Sequence, residues 1–321
     1  MKASMKLLIG YDGSQCANAA LDDLRRAGLP RDAEAIVLSV SEFWLPHNSA
    51  NSTPPSATDG VPAGFNNPSL MTVAGARQVT EARSFAMEAK RRLQVHFPQW
   101  EIRAQESSGS PAREILKKAK EWSPDLIAVG SQGRSGLGRF LLGSVSQKVA
   151  NEAHCSVRVA RGTAWKNGAP VRILVALDGS PASSAAVHSV SSRMWPPASE
   201  VRLITILDHK DTQIDSELCG PGRNGSATAG GTPLWVQGFI DAACKKLRGA
   251  ELVVSSKTEE GDPKHLIIAN AEEWGAECIF IGASYSFKPS EQPLLGTVAT
   301  AVVSRAHCSV EVVRARAEIV G

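Results

Sequence analysis

The sequence predicts an α/β protein built twice over, with two tandem five-stranded, mostly parallel sheets, each covered by helices on both faces. Three observations predict it. Five blocks of sequence recur in the same order in the two halves of the 321-residue chain. Within each half, short apolar runs alternate with stretches of helical periodicity. Such alternating strands and helices, with the runs buried on both faces, mark a parallel sheet covered by helices. The length suits two domains of roughly 150 residues each.

The repeat comes first, because it fixes the boundaries. Met5-Lys6-Leu7-Leu8-Ile9-Gly10-Tyr11-Asp12-Gly13-Ser14 returns as Val171-Arg172-Ile173-Leu174-Val175-Ala176-Leu177-Asp178-Gly179-Ser180. Gly109-Ser110-Pro111 returns as Gly261-Asp262-Pro263, and Asp125-Leu126-Ile127-Ala128-Val129-Gly130 as Glu277-Cys278-Ile279-Phe280-Ile281-Gly282. Gly143-Ser144-Val145 matches Gly296-Thr297-Val298, and Ala153-His154-Cys155-Ser156-Val157 matches Ala306-His307-Cys308-Ser309-Val310. The chain divides into a domain at 1–161, a short Gly- and Pro-containing linker at 162–170 and a second domain at 171–321.

Taken in order, the first half offers strands at 6–11, 35–40, 101–105, 125–130 and 156–160, each too short for a helix and bounded by turn residues. Val79, Ala82, Ala86, Ala89 and Leu93 fall three and four apart and line one face of a helix. Val236, Phe239, Ile240, Ala243 and Leu247 do the same in the second half. Ser110-Pro111 and Asp262-Pro263 each set a capping residue before a proline at the first helical position. Residues 44–75 and 208–233, rich in Pro, Asn, Gly, Asp and Ser, break the pattern after the second strand of each half and read first as disordered surface loops, with mobile lids over the ligand side as the alternative. His154 and His307 read as turn histidines between a helix and a strand.

Composition excludes several classes. The net charge of +3 comes from 35 basic and 32 acidic residues, too balanced for a nucleic-acid footprint. No apolar run approaches the length of a membrane span, and Leu7-Leu8-Ile9 is too short for a signal-peptide core. The six cysteines form no CxxC pair and no zinc-ligand spacing, as expected of reduced thiols in a cytoplasmic protein.

The segment that carries chemistry is Gly130-Ser131-Gln132-Gly133-Arg134-Ser135-Gly136-Leu137-Gly138-Arg139-Phe140-Leu141-Leu142-Gly143-Ser144-Val145. It leaves a strand and enters a helix near Gly143. Glycines let the backbone approach a phosphate chain, and free amides at a helix start, with the dipole behind them, favour an anion. The Ser144 hydroxyl sits beside those amides, and Arg134 and Arg139 read equally as charges that offset phosphate or as solvated surface arginines. No Gly-Lys-Ser/Thr closes the loop, so it is not a Walker A loop. It follows the fourth strand, so it is not a dinucleotide fingerprint either.

This spacing, Gly130-x2-Gly133-x9-Gly143-Ser144, resembles the G-x2-G-x9-G-(S/T) signature of ATP-binding universal stress proteins. Gly10-Tyr11-Asp12-Gly13-Ser14 resembles the end of the family's first strand. The resemblance implies an adenine nucleotide alpha hydrolase-like, Rossmann-like fold and a site for ATP. It implies that Asp12 contacts ribose or adenine, that Val40 and Val129 line the adenine pocket, and that Gly130 and Gly133 flank ribose and phosphates. Gly143, Ser144 and Val145 then hold the phosphates. Mg2+ accompanies the triphosphate on phosphate and water ligands. The family pairs its domains through their last strands, which implies an internal pseudo-dimer of the two halves and leaves open a homodimer of chains.

The second half departs from the signature. Asp178, Gly282, Gly296 and Thr297 remain, but Tyr285 replaces the second glycine and the spacer lengthens to ten residues. Pro289 and Pro293 each remove an amide. The second half is therefore expected to bind ATP poorly or not at all, or to accept a differently shaped ligand. No nucleophile–base pair stands out, so the expected function is a nucleotide-binding stress or signalling module. A slow ATPase at the same site and a nucleotide-free scaffold are the alternatives.

Overall fold

A computed structural model describes residues 4–42, 68–133, 142–162, 168–207, 233–283 and 295–315. The first copy runs β1 (Met5–Gly10), α1 (Gln15–Leu24), β2 (Ala33–Ser41), α2 (Pro68–His96), β3 (Glu101–Ser108), α3 (Pro111–Trp122), β4 (Leu126–Gly130), α4 (Ser144–Glu152) and β5 (Ser156–Ala160). The second runs β6 (Arg172–Ala176), α5 (Pro181–Ser191), β7 (Glu200–Leu207), α6 (Leu234–Arg248), β8 (Val253–Glu260), α7 (Pro263–Trp274), β9 (Cys278–Gly282), α8 (Thr297–Arg305) and β10 (Ser309–Val313). All five strands read from the first half are present.

The two five-stranded halves do not stand apart. They share one ten-stranded sheet of order β3-β2-β1-β4-β5-β10-β9-β6-β7-β8. Pairing is parallel within each copy. It is antiparallel only where β5 meets β10, with Glu311 opposite Arg158. The expected internal pseudo-dimer is thus a covalently joined sheet. The loop expected over 44–75 ends earlier, because α2 begins at Pro68. Proline is at home in a first helical turn, and the helical periodicity runs back through Leu70, Val73 and Ala74. The rest of that stretch, and all but Pro233 of 208–233, lie outside the described residues.

Alternation along the strands splits the core by face. Leu7, Ile9, Val37 and Leu126 pack with Leu21 and Leu24 of α1 and Ala86, Ala89 and Leu93 of α2. Ile173, Val175 and Leu203 make the matching cluster with α5 and α6. On the other face one continuous cluster runs through both copies, joining Leu8, Ile127, Val157 and Val159 to Leu174, Ile279, Val310 and Val312. That face is fused, while the α1/α5 face carries two separate cores.

Caps set the helix starts. Ser14 accepts from Ala17 N at 3.1 Å, and Ser180 accepts from Ser183 N at 3.1 Å. Asp262 accepts from Lys264 N at 3.0 Å, while Ser110 makes no side-chain cap. His154 and His307 fall in the turns before β5 and β10.

None of the five cysteines among the described residues is in a disulfide; Cys16 and Cys155 are partly exposed, and Cys244, Cys278 and Cys308 are buried. Burial pushes the Cys278 thiol up to about 12 and raises Cys308 as well. An alkylating reagent at neutral pH should therefore modify Cys16 and Cys155 in the folded chain well before Cys278 and Cys308. Peptide mapping by mass spectrometry reads this, and equal labelling of Cys155 and Cys278 would contradict it.

Candidate functional site

The strand order places a topological switch between β1 and β4, where chain connections leave in opposite directions. Open parallel sheets bind ligands outside the carboxyl ends of the strands at such a point. A cavity of about 600 Å³ lies there. The end of β1 contributes Gly10, Tyr11 and Asp12, the end of β2 runs from Leu38 to Glu42, and β4 contributes Val129 and Gly130. Gln132, Gly133 and residues 142–146 form the loop wall. Ala17 of α1, Pro111 and Ile115 of α3, and Gln78, Glu81, Ala82 and Phe85 of α2 complete the lining.

Of the residues singled out in the sequence, Asp12, Val40, Val129, Gly130, Gly133, Gly143, Ser144 and Val145 all line this one cavity. Arg134 lies outside the described residues, as do Arg139 and the second-half residues Tyr285, Pro289 and Pro293.

Local chemistry fixes each piece. Asp12 Oδ1 accepts from Ser14 N at 3.0 Å, an Asx turn that starts α1. Gly13 sits at φ +76, and a methyl group there would meet the Phe85 ring at 2.5 Å. Gly179 repeats this under Phe239, at φ +78. Ser39 Oγ donates to Tyr11 O at 2.7 Å, and Tyr11 N donates to Leu38 O at 3.0 Å, so the ends of β1 and β2 are tied together. Asp12 is therefore held by its own turn, with its second oxygen towards Gly133, where an added methyl carbon would lie 3.0 Å away.

The loop closes on itself. Gly143 N donates to Ser131 O at 2.8 Å, and a Cβ on Gly143 would stand 3.3 Å from Gln132 Cα. The spacing between Gly133 and Gly143 thus brings both glycines to one place. Ser146 Oγ donates to Gly130 O at 2.5 Å and ties the first turn of α4 to the end of β4. The α4 N-cap is Gly143, which has no side chain to accept from the helix amides. The first-turn amides of α4 face the cavity without the side-chain cap that serves α1, α5 and α7. Among the described lining residues there is no lysine or arginine, so those amides and the helix dipole are the described attraction for an anion.

Gly130 has a different role from Gly133. A Cβ on Gly130 would lie 2.8 Å from the Cys16 backbone, so this glycine lets α1 press against β4. Gly282 is tighter still, 2.3 Å from the Ala182 backbone. Gly130→Ala and Gly282→Ala should each lower stability by about 1–3 kcal/mol, more at Gly282, because backbone must shift. Urea unfolding midpoints measure this. An unchanged midpoint in both variants would refute the close-approach reading.

Sequence reasoning missed the α2 wall and Ser146. Gln78 and Glu81 follow no motif, and only the fold brings that helix over the cavity. Phe85 left one signal, since it recurs over the equivalent glycine as Phe239.

Comparison with known proteins adds the following. The Universal stress protein family model matches residues 4–161 and again 171–314. Universal stress protein YxiE of Bacillus subtilis is 32% identical over 158 residues, covering 49% of this chain and 98% of that protein. Universal stress protein Sll1388 of Synechocystis is 28% identical over 159 residues, covering 49% of this chain and 97% of its own. A solved structure of a universal stress protein from Archaeoglobus fulgidus superposes with a TM-score of 0.62 at 19% identity, over 96% of this chain and 98% of that one.

Proposed function

The chain belongs to the universal stress protein family, and from that premise we propose that its first copy is an ATP-binding module of stress response or signalling. The second copy keeps the fold without binding ATP. The observation that carries this reading is the cavity at the β1/β4 switch, closed by a glycine loop whose helix start lacks a side-chain cap.

In this reading Val40 and Val129 flank adenine, and Asp12 meets ribose or base. The bare backbone at Gly133 and the amides of Gly143, Ser144 and Val145, with the Ser144 hydroxyl, take the phosphates. Gly130 supports the site indirectly, through the packing of α1 on β4. Arg134 is proposed to offset phosphate charge. Among the described residues no group of three or more His, Cys, Asp or Glu could hold a metal. A magnesium ion would therefore rest on phosphate oxygens and water. The function proposed is binding rather than turnover, because the sequence offers a phosphate cradle but no recognisable nucleophile–base pair. The proposed compartment is the cytoplasm, where free thiols stay reduced. Among the described residues no helix is long and apolar enough to cross a membrane.

The test is to denature the purified chain and chromatograph what it releases, then to titrate the stripped protein with ATP calorimetrically. One ATP per chain is the expected result. Two sites of equal affinity would refute the silent second copy. No binding of any adenine nucleotide would leave a scaffold, and phosphate release on incubation would establish an ATPase.

A further inference from the structure

The seam between β5 and β10 has a symmetric frame and an asymmetric centre. In the frame, Arg161 N donates to Ser309 Oγ at 3.0 Å, and the repeat-equivalent Arg314 N donates to Ser156 Oγ at 3.1 Å. The Arg161 guanidinium donates to Val303 O at 2.6 Å, and that of Arg314 to the equivalent Ala150 O. Val157 and Val159 meet Val312 and Val310 on the fused apolar face. Nothing in this frame distinguishes one copy of the fold from the other. By itself it would join two first halves as readily as a first to a second.

The centre does distinguish them. Arg158 and Glu311 occupy equivalent positions in the repeat, lie directly opposite each other and are 1% and 0% exposed. Arg158 donates to Asp23 of α1 at 2.5 and 3.1 Å, and to Glu311 at 3.3 Å. Glu311 also pairs with Arg193, whose guanidinium crosses to Ala27 O at 2.8 Å. Ser309 Oγ crosses to Asp23 at 2.7 Å. The repeat-equivalents of Asp23, Arg158 and Ala27 are Ser189, Glu311 and Arg193, so the copies differ at each of these places. Each half carries its own neutral pair, Asp23 with Arg158 and Arg193 with Glu311. Only opposite halves bring opposite charges together on the dyad.

We propose that this seam is a partner-selective surface. The last-strand face of the first half accepts the second half of this protein and rejects another copy of itself, and the second half behaves likewise. A β5–β5 pair would set Arg158 against Arg158. A β10–β10 pair would set two Glu311 carboxylates together away from water, each keeping Arg193 of its own half but losing the opposite charge that Arg158 supplies across the seam. The valine face supplies non-specific adhesion, and the buried charges supply the choice. The chain therefore closes on itself and leaves no last-strand edge for a homodimer.

Two full-length variants test this, Glu311→Arg, which carries Arg on both halves, and Arg158→Glu, which carries Glu on both. Light scattering should find the native chain at one-chain mass. Each variant refolded alone should lose amide-exchange protection at Val157, Val159, Val310 and Val312. Co-refolding the two should give a two-chain particle, because the unaltered Arg158 half of one finds the unaltered Glu311 half of the other. Rescue on mixing counts even where a variant alone fails to refold. No two-chain particle on mixing, or equal amounts from either variant alone, would overturn the proposal. A second set, Arg158→Gln, Glu311→Gln and the pair, keeps shape while removing charge. The pair should shift the urea midpoint by clearly less than the sum of the single shifts, and additive shifts would also overturn it.

Discussion

A chain carrying Gly133→Trp should fold with an unchanged unfolding midpoint and bind ATP at least about a hundredfold more weakly, on the order of 3 kcal/mol. The two halves of this result have separate causes. Gly133 is exposed, and among the described residues the one heavy atom that an added Cβ would approach within 4 Å is Asp12 Oδ2 at 3.0 Å. An indole therefore has solvent to enter, and the sheet and its two covering layers do not feel it. The same indole stands over the mouth of the cavity, beside Asp12 and the closed ends of the loop. Titration calorimetry on the stripped variant reads the affinity, and thermal unfolding reads the fold. Native-like affinity would remove Gly133 from the site. A large drop in the unfolding midpoint would show that this glycine, like Gly130, serves packing.

Arg158→Met should destabilise the chain by about 3–5 kcal/mol, the largest loss expected of any single substitution at the seam. Burial opposes the charge on Arg158, yet the hydrogen-bonded carboxylate of Asp23, with Cys278 and Glu311 beside it, outweighs burial and raises the pKa of the guanidinium. Methionine fills much of the same space and removes the charge. Asp23 then keeps the Ser309 hydroxyl as a hydrogen-bond donor, and Glu311 keeps Arg193. The loss arises chiefly from the Asp23 carboxylate, left without a counter-charge where water does not reach. Urea unfolding measures it, and a shift below about 1 kcal/mol would mean that water enters the seam. Replacing Asp23, Arg158, Arg193 and Glu311 together by apolar residues should recover most of the loss, because no charge is then stranded. That variant would separate stability, which apolar packing supplies equally well, from the choice of partner, which it does not.

The order of strands and helices was legible in the residues because each element is a local pattern. The runs Leu7–Ile9 and Leu126–Val129 have no polar side to turn to water, and Ala82, Ala86, Ala89 and Leu93 repeat on a helix face. The glycine loop was legible too, since spacing along a chain fixes which backbone atoms return to one place, here Gly133 beside Gly143. The distinct roles of Gly130 and Gly133 were not legible, because a glycine looks the same whether it admits a ligand or a neighbouring helix. The α2 wall of the cavity was hidden for a similar reason, as Gln78 and Glu81 read as ordinary exposed positions.

What the sequence determined by itself was the duplication, the α/β alternation and the candidate anion loop, all of them periodicities or spacings within reach of the local backbone. Only the tertiary structure decided that the two sheets are one, and that Asp23, Arg158, Arg193 and Glu311 form a single buried group. These four residues are far apart along the chain, and each alone reads as a surface charge. Antiparallel pairing of β5 with β10 removes water from all of them at once. The energy of a charge depends on its solvent and its neighbours, and both are set by topology.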